Sequence, residues 1–171
     1  KAAKLTTKLN AAGANVRWVA EDSLHLTLNF LGEVDLRQTP EICGVVADTV
    51  AELDPFSFQA SGAGAFPNVN RPRTVWIGVS EGAEDLKDVY DQLEKALSIY
   101  RVGRDRQRFV PHVTIGRVRG NSCLPELGET ISAQAEFPLG VAPVTNITVF
   151  SSELRSSGPI YTVLSHARLG G

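Results

Sequence analysis

Residues 23–34 read SLHLTLNFLGEV, and residues 111–118 read PHVTIGRV. Each stretch sets a histidine two positions before a threonine inside an apolar run. Extended backbone turns successive side chains to opposite faces. Leu24, Leu26, Leu28 and Phe30 then share one face, and His25, Thr27 and Asn29 share the other. Val113 and Ile115 likewise oppose His112 and Thr114. Both stretches read as strands that bury an apolar face and present an imidazole beside a hydroxyl. Imidazole titrates near neutral pH and can donate or accept a proton. A hydroxyl can hydrogen-bond a phosphoryl oxygen. Two such units facing one another offer an acid on one side of a phosphorus and a base on the other, as in-line displacement requires. One strand histidine is more often a packing residue than a catalyst. Two of the chain's three histidines in the same setting shift that balance.

Outward from these stretches, residues 2–12 read as a helix stopped by Gly13. VRWVA reads as a strand. Residues 36–53 place Ile42, Val45, Val46, Val50 and Leu53 at helical spacing, and residues 83–100 place Leu86, Val89, Leu93, Leu97 and Tyr100 likewise. Strands are expected at FSFQASGAGAF, RTVWIGVS, AEFPLGV, VTNITVFSSEL and PIYTVLSHARL, with a loop or short helix near residues 123–133. The order predicts an α+β fold with antiparallel pairing rather than strict βα alternation. The His-x-Thr unit occurs once in each half of the chain, which suggests a duplicated, two-lobed domain spanning residues 1–171.

Composition excludes several classes. The 171 residues suffice for one domain with a sizeable core. A net charge of −2 provides no global attraction for nucleic acid or membrane. No apolar run is long enough to span a bilayer, and no secretory segment opens the chain, so a cytoplasmic protein without membrane partners is expected. Cys43 and Cys123 form no C-x-x-C pair and read as small buried hydrophobes in a reducing compartment. No remaining His, Cys, Asp or Glu spacing resembles a zinc site, and ASGAGAF lacks the lysine of a phosphate loop. No metal and no cofactor are expected.

The segments LHLTLNFLGEV, GAFPNVNRPRTVWIGV, RFVPHVTIGRV and ITVFSSEL…GPIYTVL together resemble the RNA 2′,3′-cyclic phosphodiesterases of the two-histidine phosphoesterase superfamily, once named 2′-5′ RNA ligases. The paired His-x-Thr motif carries the superfamily. Gly64–Pro67, the Trp76 strand and the proline before His112 narrow it to this branch. The resemblance implies a bilobal α+β fold of pseudo-twofold duplication, with two antiparallel sheets around a central cleft and helices outside. It implies metal-free hydrolysis of RNA ends or nucleotides bearing a 2′,3′-cyclic phosphate to 2′-phosphates. Separately, a monomer is expected. His25 falls on the family's general acid and His112 on its base or phosphate contact. Thr27 and Thr114 fall on phosphoryl-oxygen ligands, and Arg117 on a phosphate or ribose contact. Family members begin with a strand before the first helix, and that strand is expected to be missing from this sequence.

Several residues sit less simply. Arg117 is out of phase with His112, so a regular strand would turn it away unless Gly116 hosts a bulge. Arg101, Arg104, Arg106 and Arg108 lead into the His112 stretch and either draw RNA phosphates inward or form a solvated loop. Phe66 and Phe109 read as core residues more readily than as base-stacking ones, and Trp76 reads as core. His166 lacks a following threonine and reads as structural or exposed. Two rival functions keep the fold: reversible 2′-5′ joining of RNA ends, and nucleotide binding without turnover.

Overall fold

Alternating and helical apolar spacings sort the chain into four helices and seven strands in the computed structural model, which describes residues 1–100, 108–155 and 158–170. The helices are α1 (Ala2–Asn10), α2 (Thr39–Ala51), α3 (Ala83–Ala96) and α4 (Leu124–Ala133). The strands are β1 (Val16–Trp18), β2 (Phe56–Phe66), β3 (Thr74–Glu81), β4 (Val113–Val118), β5 (Pro138–Val144), β6 (Asn146–Arg155) and β7 (Gly158–Arg168). Five strands form one sheet in the order β1-β4-β3-β2-β5, and β6 and β7 form a two-stranded sheet. The pairs β1–β4, β4–β3, β3–β2 and β6–β7 run antiparallel. The α+β reading with two antiparallel sheets therefore holds.

The chain divides into two units, one of Lys1–Thr27, Phe58–Ala83 and Val110–Ala142, the other of Leu28–Ser57, Glu84–Phe109 and Pro143–Gly171. In the first unit, Leu5 and Leu9 of α1 and Leu127 and Ile131 of α4 pack with Ala63, Ala65, Val75, Ile77 and Ile115 of the large sheet. Leu5, Leu127 and Ile131 are fully buried, each such side chain contributing about 1.5–3 kcal/mol. Gly13 ends the turn after α1 at φ 75°, where a left-handed conformation favours glycine. In the second unit, Ile42, Val46 and Val50 of α2 and Val89 and Leu93 of α3 share a core with Leu97, Tyr100, Ala167 and Leu169. This is the pair of helical stripes that the spacing predicts.

One strand expectation is corrected. Of LHLTLNFL, only Leu26 pairs with the sheet, through an isolated bridge to Val113. Leu24 packs against the first core, whereas Leu28 and Leu31 pack against the second, and Phe30 is 68% exposed. Alternating apolar residues signal one face only while the chain stays on one core. Here it leaves the first unit after Thr27.

A candidate active site on the large sheet

The two His-x-Thr motifs come from opposite halves of the sequence, yet both lie in the first unit. Val113 pairs with Ile77 of β3 on one side, so its bridge to Leu26 occupies the other side, the edge that β1 also lines. The chain thus follows β4 with Val16–Trp18, makes a 3-10 turn at Glu21–Ser23, and returns to the same edge at Leu26.

The Leu26–Val113 register sets His25 opposite Thr114, and Thr27 opposite His112. Val113 faces the core, so alternation turns these four residues to the other face. The two histidines occupy one diagonal of the resulting square and the two threonines the other. Diagonal neighbours across antiparallel strands stand about 7–8 Å apart. That spacing leaves room for a phosphoryl group between the rings. Both histidines are half-buried, as is Thr114, and Thr27 is exposed.

Each ring is held by its own chain. His25 Nδ1 lies 2.9 Å from the Ser23 carbonyl oxygen, and His112 Nδ1 lies 2.7 Å from the Val110 carbonyl oxygen. A carbonyl oxygen only accepts, so Nδ1 carries the proton in both rings. In the neutral form the lone pair then sits on Nε2, and in the charged form Nε2 carries a proton. The same local contact, two residues back, prepares both imidazoles to exchange protons through Nε2.

The His112 ring has aromatic walls. Phe66 meets it edge-on at 4.9 Å between centroids and 86°, and Trp76 meets it at 6.3 Å and 60°. Trp76 is not the core residue that its apolar strand suggests. Val75 and Ile77 are buried, and Trp76, out of phase with both, lies half-buried on the histidine face. Its indole lies across Gly64, where an added Cβ would collide with Trp76 Cη2. The Trp76 Nε1 atom is buried without a hydrogen-bond partner among the described residues.

Arg117 regains the histidine face through a bulge. Trp76 pairs with Thr114, but Val75 pairs with Gly116 and Thr74 with Arg117, so Ile115 is an extra residue in β4. The bulge resets the alternation. Arg117 then shares a face with Thr74, Trp76 and Thr114, and it is exposed.

Other expectations resolve differently. Phe109 stacks on Tyr90 at 4.3 Å within the second unit. His166 is exposed and bonded to Thr148 across β6 and β7 at 3.0 Å. Asn29 does not join His25 and Thr27: it belongs to the second unit and donates to Glu94 at 3.0 Å. Neither cysteine is buried: Cys43 is half-buried beside the apolar stripe of α2, and Cys123 is exposed just before α4. Arg101, Arg104 and Arg106 fall outside the described residues, and Arg108 is exposed. Among the described residues no group of three or more His, Cys, Asp or Glu is placed to hold a metal ion, and no helix is long and apolar enough to cross a membrane.

Comparison with known proteins places the chain in a family. Residues 4–155 match the family model of the 2′-5′ RNA ligase superfamily. The RNA 2′,3′-cyclic phosphodiesterase of Thermotoga maritima is 36% identical over 171 residues, covering 100% of this chain and 89% of the relative. That of Aeropyrum pernix is 33% identical over 162 residues, covering 95% and 91%. A crystal structure from Thermus thermophilus superposes with a TM-score of 0.77 at 24% identity, covering 100% of this chain and 94% of that one. E. coli LigT complexed with 3′-AMP superposes at 0.73 with 23% identity, covering 99% and 93%. The chain therefore belongs to the 2′-5′ RNA ligase superfamily, among its RNA 2′,3′-cyclic phosphodiesterases.

Proposed function

We propose that the chain hydrolyses 2′,3′-cyclic phosphodiesters at RNA ends or on nucleotides to 2′-phosphates, with His25 and His112 as a metal-independent acid and base pair. The observation that carries this reading is the shared hydrogen bond from each Nδ1 to a backbone carbonyl. It prepares both Nε2 atoms for proton transfer on one face of one sheet. Neutral His112 takes a proton from water as the water oxygen attacks phosphorus. The bond from phosphorus to the 3′ oxygen breaks, and charged His25 delivers the Nε2 proton to that oxygen. The products are a 2′-phosphomonoester and a 3′-hydroxyl. Thr27 and Thr114 donate to the non-bridging oxygens, where charge accumulates, and Arg117 adds a guanidinium contact to phosphate or ribose. The near equivalence of the two motifs leaves the acid and base roles exchangeable in the reverse direction.

The test is a product assay on an oligonucleotide ending in a 2′,3′-cyclic phosphate, with a chelator present. The wild type should yield a 2′-phosphate end, and its rate should trace a bell against pH, since one histidine must hold a proton and the other must not. A 3′-phosphate product, or loss of turnover on chelation, would overturn the reading. Joining of half-tRNA-like fragments in the same assay would favour the ligase direction. Nucleotide binding without product would favour a binding module.

A further inference from the structure

Arg17 lies in β1 between Val16 and Trp18, both of which pack against the first core. Alternation sends Arg17 to the other face. The register sets it directly opposite Arg117, which itself stands opposite Thr74. Two guanidinium groups are thus cross-strand neighbours on the histidine face. Like charges so placed destabilise a sheet. A carboxylate would relieve the repulsion, yet among the described residues neither arginine has one within ion-pair distance. Arg17 is half-buried, so water compensates its charge less than it would at the surface. A bound anion relieves such a pair, and the planar guanidinium fork matches phosphate oxygens.

The anion is not the reacting phosphate alone. Ile115 and Gly116 separate Thr114 from Arg117 along β4. At about 3.3 Å per residue, less the shortening of the bulge, Arg117 and Arg17 stand roughly 7–10 Å along the sheet from the Thr114 row. That is farther than one phosphoryl group extends. Building on the hydrolytic reading above, we infer that Arg17 binds the phosphodiester one nucleotide inward from the cyclic phosphate, with Arg117 between the two. The pair then makes the chain prefer the end of an RNA strand to a mononucleotide.

The test compares kcat/KM for a 2′,3′-cyclic mononucleotide and for a short oligonucleotide ending in a 2′,3′-cyclic phosphate, in the wild type, Arg17→Ala and Arg17→Lys. The ratio of oligonucleotide to mononucleotide should fall about tenfold in Arg17→Ala, through KM, and Arg17→Lys should retain most of it. On the oligonucleotide, the slope of log kcat/KM against log salt should shrink by about 0.7 in Arg17→Ala. The melting temperature of Arg17→Ala should equal or exceed that of the wild type, because a repulsion is removed. An unchanged ratio overturns the inference, whether both substrates slow together or neither does. A wild type that turns over neither substrate defeats the hydrolytic reading instead. In that event, dissociation constants for a 2′-phosphate-ended oligonucleotide and a 2′-nucleotide give the same ratio, and its indifference to Arg17→Ala overturns the subsite.

Discussion

The two His-x-Thr motifs carry the same residues and the same Nδ1 contact, but they are supported differently. His112 immediately precedes β4, which is paired on both sides, and its ring is walled by Phe66 and Trp76. His25 sits beside a single bridge, at the point where the chain leaves the first unit. What the motifs share is local: a histidine whose Nδ1 reaches the carbonyl two residues back. The Nδ1 contact recurs at both positions, whereas strand pairing on both sides and aromatic walls are found at only one.

The largest effect should come from removing either imidazole. His25→Ala and His112→Ala should each lower kcat by about 10²–10⁴-fold on the cyclic-phosphate oligonucleotide. The double variant should fall little below the singles, as for groups that act together. A loss confined to one histidine would break the symmetry of the comparison. A smaller effect should separate the two supports. Gly64→Ala drives a methyl group into the Trp76 indole, and overpacking of this kind costs about 1–3 kcal/mol. It should lower thermal stability by that amount and kcat by about tenfold, through the His112 wall alone. The His25 ring should keep its chemical shifts in the same variant. The smallest effect lies in the second unit. An added Cβ at Gly44 in α2 meets nothing within 4 Å, so Gly44→Ala should raise stability by about 0.5–1 kcal/mol and leave kcat unchanged.

Much of this was legible in the sequence, for reasons that also explain the rest. Helical stripes such as Val89, Leu93 and Leu97 announce themselves because each packs on one core. The facing of His25 and His112 away from the core follows from period-two alternation. Alternation misled in LHLTLNFL, because its leucines serve two different cores. Apolar character misled for Trp76, where a large side chain lies on the site face and is laid over a glycine. Phase was the missing signal there: Trp76 alternates with Val75 and Ile77, the buried pair. Arg117 sat at the wrong parity until the extra residue at Ile115 was placed by its pairing, although Gly116 hinted at such a break. Arg17 gave no signal at all, since only strand register reveals that two arginines meet.

The proposed acid and base pair depends most directly on both imidazoles, His25 and His112, carrying their neutral proton on Nδ1. Long-range ¹H–¹⁵N correlation of the imidazole nitrogens, recorded at a pH where both rings are neutral, reads this directly. The account predicts a protonated Nδ1 and an unprotonated Nε2 for His25 and His112 alike. A proton on Nε2 in either ring would contradict it.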